Sequence, residues 1–238
     1  MGFTRPRTGR SRAHCPLAAA GRARPRIAVR LEARAAGSPS AGAILDAAEA
    51  LFGRRGYAAT SVDAICTASA LPVGSIYHHF ASKSAILSAV LDRAARRFFA
   101  ELDDAVGVQL EPEPRMRKYF EQAPNLMAKN ANYFRIIAAA LQQDRDEQLL
   151  NFARQSTDAA TATLAAVIEP VAATAGVRDP EKLSLDLAHM TNSYALGAAI
   201  IAGYDARSLH EGMAPLYEIV RGAIDKSAAK GKESRQPA

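Results

Sequence analysis

Ile44, Ala48, Leu51 and Phe52 recur at the three-to-four-residue spacing of one helical face, and the same period runs through nearly every later segment of the chain. Nothing in the sequence alternates apolar with polar as a half-buried strand would, and no Asn-Gly pair signals a hairpin. Alanine occurs 52 times in 238 residues while Phe, Tyr and Trp together make up 6%, a balance that suits helices packed closely through small side chains. The expected fold is all-α: a small amino-terminal three-helix unit followed by a larger helical domain.

The breakers divide this pattern into segments. Ser38 and Pro39 supply a cap and a first-turn residue for a helix running to about Arg55, which Gly56 ends. Thr60-Ser61 restarts a short helix through Val62, Ile65 and Cys66. After Ser69-Ala70-Leu71, Pro72 is placed in the first turn of a second short helix carrying Ile76, Tyr77 and Phe80. Two short helices joined by a tight turn form a helix-turn-helix. Ser82 caps a long helix to about Val106, Pro112 and Pro114 interrupt the chain, and further helices are predicted near 114–129, 131–142, 144–175 with a kink at Pro170, 180–203 and 206–229. This predicts a domain at 38–91, a second at 92–229 and a frayed tail at 230–238.

The overall charge of +6 suggests a polyanion binder until it is located. Residues 1–40 hold nine arginines against Glu32 alone, so this stretch carries +8 and the remaining 198 residues carry −2. Residues 1–37 read as a disordered basic arm or as a start assigned upstream of the true one, with an organellar transit peptide as a third reading. Two cysteines, Cys15 and Cys66, provide neither a disulfide framework nor a CxxC pair, and a reducing cytoplasmic setting is expected. The longest apolar run, Ala195–Ala202, falls well short of the roughly 18 residues of a membrane span, so no membrane partner is expected.

Three stretches then carry a resemblance: Ala43 through Phe52, Gly56-Tyr57-Ala58-Ala59-Thr60-Ser61-Val62, and Gly74-Ser75-Ile76-Tyr77-His78-His79-Phe80-Ala81-Ser82-Lys83. Together they closely resemble the DNA-binding domain of TetR-family transcriptional repressors over about 50 residues. The turn departs from the family pattern, having Ala70 where a glycine is usual. If Ala70 is left-handed, that costs roughly 1–2 kcal/mol.

The resemblance implies double-stranded DNA as partner, with Tyr77, His79 and Lys83 near the phosphates and Val73, Gly74, Ser75 and His78 facing the groove. Residues 41–91 are electrically neutral, so phosphates would be held by hydroxyls, phenols and helix N-termini, among them Thr60, Ser61, Ser75 and Tyr77. Val73 suits a thymine methyl and Ser75 a base edge. His78 and His79 point about 100° apart on a helix and cannot chelate one metal, so neither metal nor cofactor is expected.

The second half resembles the family in its helical layout. Phe120, Met127, Tyr133, Phe134, Ile137, Leu141, Phe152, Met190 and Tyr194, with His189 and Asn192 as polar groups, are candidates to line a pocket for a small apolar or aromatic effector. Ala195, Ala198, Ala199 and Ala202 form a small-residue face, and Leu209, Met213, Leu216, Tyr217 and Val220 an apolar one. These predict a homodimeric four-helix interface, hence a palindromic operator. No P-loop, nucleophile elbow or HExxH supports an enzyme. The alternative to a ligand-released repressor is a helical adaptor with weak or lost DNA affinity.

Overall fold

A computed structural model describes residues 38–107, 109–142 and 147–233, leaving aside the side chains of Gln148 and of 231–233. The expected basic arm, residues 1–37, and the last five residues of the expected tail lie outside the described residues. These residues form ten α-helices and no strand: α1 Pro39–Arg55, α2 Val62–Ser69, α3 Val73–His79, α4 Lys83–Val106, α5 Pro112–Lys129, α6 Ala131–Leu141, α7 Glu147–Thr174, α8 Pro180–Ile201, α9 Ala206–Met213 and α10 Leu216–Glu233.

Local chemistry sets the boundaries of the first four. The side chains of Ser38, Ser61 and Ser82 accept the amides of Ala41, Ala64 and Ala85, each at 3.1 Å, capping α1, α2 and α4. Gly56 ends α1 at φ 80°. Ala70 is left-handed, at φ 55° and ψ 30°, and the Leu71 amide returns to the Cys66 carbonyl at 3.2 Å. The chain therefore keeps the family-like turn and bears the steric cost of a Cβ there. Pro72 caps α3 in an extended conformation, one position before the expected first turn, because the residue before the helix needs β-region backbone and proline adopts it readily.

Other boundaries differ from expectation, α5 beginning at Pro112 and not near 114. The single helix expected at 206–229 is two, α9 and α10, because Pro215 has no amide to give and its ring clashes with the carbonyl four residues back. The second of them continues to Glu233, beyond 229. The expected division between residues 91 and 92 falls inside α4, which packs against α1 at one end and α5 at the other.

The first three helices, with the start of α4, close around Ile44, Ile65, Ile76 and Ile86, all at 0% exposure. This head meets the remaining body where α1 lies on α6. Gly53 makes that approach possible: a Cβ there would stand 2.5 Å from Asn132 Oδ1 and 2.7 Å from its Cβ. Beside it, Glu49 of α1, 8% exposed, accepts Arg93 Nη2 at 3.1 Å and Arg97 Nη2 at 2.6 Å from α4. Arg97 Nε donates to Asn130 Oδ1 at 3.0 Å, and Asn130 Nδ2 donates to Glu101 at 3.0 Å, so one network joins α1, α4 and the α5–α6 junction. No helix among the described residues is long and apolar enough to cross a membrane.

Candidate nucleic-acid interface and inner cavity

The helix α3 is two-faced. Ile76 is fully buried and Phe80, its cap, nearly so, while Val73 is 48% and Tyr77 55% exposed, and Gly74 and His78 also lie open. A Cβ on Gly74 would meet nothing within 4 Å, so its backbone is approachable from outside. Ser75 and His79 are half-buried at the edges of this face, the His79 ring lying against His78 and Phe80. An exposed isoleucine-anchored helix with a valine, a hydroxyl, a phenol and an imidazole outward has the dimensions and donors to enter a major groove.

Two residues expected at the phosphates are engaged internally. Thr60 is 1% exposed and its hydroxyl donates to the Gly56 carbonyl at 2.8 Å, so it belongs to the loop before α2. Lys83 donates to the carbonyls of Tyr57 and Thr60, both at 3.0 Å, with its ammonium 4.3 Å from the centre of the Tyr57 ring. It ties α4 to that loop, leaving one of three N–H donors for an outside partner. Ser61 remains exposed while it caps α2.

A second feature lies in the body, where α4, α5, α6, α7 and α8 enclose a cavity of about 300 Å³. Its walls include Phe120, Met127, Tyr133, Phe134, Ile137, Leu141, His189 and Asn192, as well as Phe98, Phe99, Tyr119, Ser156, Thr161 and Thr191. Phe98 stacks on Tyr133 at 6.1 Å and meets Phe134 edge-on at 5.0 Å, so the aromatic wall is itself packed. Phe152 is buried but is not among the wall residues, because its turn of α7 faces the core. Met190 and Tyr194 stand 45% and 47% exposed on the outer side of α8, with the Tyr194 hydroxyl donating to the Gly212 carbonyl at 2.9 Å.

Tyr119, Ser156 and Thr191 are among the wall residues that were not singled out from the sequence. A signal existed for Ser156, which falls at i+7 from Leu149 and i+3 from Ala153, on the buried stripe of α7 where a hydroxyl is out of place. Burial raises the Tyr119 phenol well above its ordinary value. Burial likewise pushes Tyr133 up to about 12, against a smaller downward pull from neighbouring Ser156.

The small-residue face of α8 turns inward. Ala195 and Ala199 are 6% and 0% exposed, and Leu209, Met213, Leu216, Tyr217 and Val220 are all 8% exposed or less, buried within one protomer. Tyr217 is held by α5, where Glu113 accepts its hydroxyl proton and Arg117 Nη2 donates to it at 2.8 Å. A residue already covered adds nothing to a contact between protomers. Ala198 and Ala202 are half-buried. The open apolar stripe of α8 is instead Met190, Tyr194, Gly197 and Ile201, spaced i, i+4, i+7 and i+11, with Ile201 90% exposed, and α10 adds Ile219 at 51%.

Comparison with known proteins follows the head more closely than the body. Residues 44–90 match the family described as bacterial regulatory proteins, tetR family. The HTH-type transcriptional regulator UidR of Escherichia coli is 39% identical over 64 residues, 25% of this chain and 33% of the relative. The HTH-type transcriptional repressor KstR2 of Mycobacterium tuberculosis is 35% identical over 79 residues, 33% of this chain and 40% of the relative. The matched region thus spans well under half of either curated relative. A solved TetR transcriptional regulator from Legionella pneumophila superposes with a TM-score of 0.61 at 26% identity, over 76% of this chain and 97% of that one. The fatty acid degradation regulator FadR from Bacillus halodurans shares the fold with a TM-score of 0.62 at 16% identity, over 77% and 95%. Residues 44–90 are thus similar to the helix-turn-helix domain of tetR family bacterial regulatory proteins, and the helical body shares the fold of a solved TetR transcriptional regulator.

Proposed function

We propose that this chain is a transcriptional regulator, a repressor that binds a palindromic operator through α3 and leaves it when a small apolar or aromatic effector enters the body. Residues 38–91 act as the reading domain and 92–229 as the effector and dimerisation domain. The observation that carries the reading is the pairing, on one seven-residue helix, of a fully buried Ile76 with an exposed Val73, Gly74, Tyr77 and His78. The matched relatives, named as a transcriptional regulator and a transcriptional repressor, support it.

Phosphate contacts fall to Ser61, Ser75, Tyr77, His79 and the remaining Lys83 donor. The joint at Gly53 and the Glu49–Arg97–Asn130 network are the route by which a change around the cavity reaches α3, since α4 and α6 border the cavity and both touch α1. For two protomers, the stripe Met190, Tyr194, Gly197 and Ile201 with Ile219 supplies the self-complementary face.

Gel shift of the purified protein on the DNA upstream of its own gene, at two salt concentrations, tests this. A sequence-selective complex that weakens about tenfold or more in the variant Tyr77→Ala is the expected outcome. A folded protein that shifts no DNA at either concentration supports the adaptor reading, which the electrically neutral head favours.

A further inference from the structure

The cavity is aromatic and aliphatic through most of its wall, yet hydroxyls gather in it. Tyr119, Tyr133, Ser156 and Thr191 line it and are 7%, 2%, 2% and 2% exposed. Ser156 Oγ and Thr191 Oγ1 are fully enclosed and find no hydrogen-bond partner of good geometry. A helical serine or threonine ordinarily returns its hydroxyl to a carbonyl one turn back, as Thr161 does to Thr157 at 2.9 Å and Thr163 to Ala159 at 2.8 Å. That Ser156 and Thr191 do not do so leaves two buried donors facing a space large enough for a bicyclic molecule.

Among the described residues, the wall holds no lysine or arginine. Its ionisable groups besides the phenols are Asp158 and His189, both exposed at the rim. The phenols are neutral donors at pH 7, and burial only raises them further above their ordinary value. An anion drawn inside would lose its hydration and meet no lysine or arginine among the described residues, whereas a neutral oxygen would meet hydroxyls able to donate or accept.

We infer that the cavity selects an uncharged, mainly aromatic molecule carrying a hydroxyl or carbonyl oxygen, which bonds to the Tyr133, Ser156 and Thr191 hydroxyls, and that it rejects carboxylates of the same shape. The inference rests on the effector reading above and gives that site its ligand class.

Calorimetric titration of the full chain at pH 7 with naphthalene, 2-naphthol and 2-naphthoate separates the classes. The expected order places 2-naphthol about tenfold or more tighter than either of the others. Ser156→Ala and Thr191→Val should each weaken 2-naphthol severalfold while leaving naphthalene unchanged, with the ranking in the unaltered protein standing as evidence should either variant fold poorly. Equal or tighter binding of 2-naphthoate overturns the inference. So does naphthalene binding as well as 2-naphthol, or no heat from any of the three. The gel shift reads the regulatory role separately. If 2-naphthol ranks first but leaves the DNA complex intact, the ligand class stands and ligand-controlled release fails. If 2-naphthoate releases DNA and 2-naphthol does not, release stands and the class falls.

Discussion

Two buried hydroxyls at the cavity of the body stand in contrast to the buried polar side chains of the head. In the head, Glu49 and Thr60 are nearly inaccessible and both are bonded, Glu49 to two guanidinium groups and Thr60 to a carbonyl. In the body, Ser156 and Thr191 are as deeply buried and lack a hydrogen bond of good geometry beside a cavity of about 300 Å³. An unmet buried hydroxyl costs about 1–3 kcal/mol. Glu49 and Thr60 avoid that cost, which suits the proposed role of the head in presenting α3 to DNA in a fixed geometry. Ser156 and Thr191 bear it at the cavity, where the proposed ligand would remove it. The network from Glu49 through Arg97 and Asn130 to Glu101 lies between the two. There the Glu49 bond raises the Arg97 guanidinium further, and bonds from Lys129 and Asn130 lower the Glu101 carboxyl.

Three substitutions break or sharpen this contrast. The largest effect is expected from Ile76→Ala, which hollows the head core beneath α3 and should cost about 2–5 kcal/mol. Thermal unfolding should show an early transition and DNA binding should disappear, while 2-naphthol still binds. Loss of the calorimetric signal as well would mean that head and body hold together as one cooperative unit.

Gly53→Ala comes next, at about 1–3 kcal/mol, because the new Cβ must push α1 off α6 at Asn132. Its informative readout is the ligand concentration that releases DNA, which should rise as the two regions lose contact. An unchanged release curve with a lowered melting temperature would remove this joint from the coupling route.

The smallest effect is a gain. Ala70→Gly relieves a left-handed alanine but adds freedom to the unfolded chain, for a net stabilisation of about 1 kcal/mol or less. The urea midpoint should rise while DNA binding stays within twofold. A fall in the midpoint would show that the turn bears no strain at Ala70.

Much of the head was legible in the sequence because its determinants are local. Ser38, Ser61 and Ser82 each cap their own helix, Gly56 ends one, and a run of apolar residues at helical spacing has a single small core to face. Pro215 carried an equally local signal that divides α9 from α10. Lys83 was harder, since its partners at Tyr57 and Thr60 are 26 and 23 residues away and only the folded chain brings them within 3.0 Å.

Helical periodicity and local caps were enough for an all-helical chain and the placement of its helix-turn-helix, whereas the outward placement of Val73, Gly74, Ser75, Tyr77 and His78 was implied by the family resemblance, and Ser75 proves half-buried. Tertiary structure decided which side of α8 is open. That helix carries small residues around much of its circumference, Ala188, Ala195, Gly197, Ala198 and Ala199, so periodicity alone permits several faces to pack closely. Packing against α7 buries Ala195 and Ala199 and leaves the Met190, Tyr194, Gly197 and Ile201 stripe outside. It also brought Tyr133, Ser156 and Thr191 from three helices to one cavity, because hydrophobic period fixes which residues turn inward but not which inward residues meet.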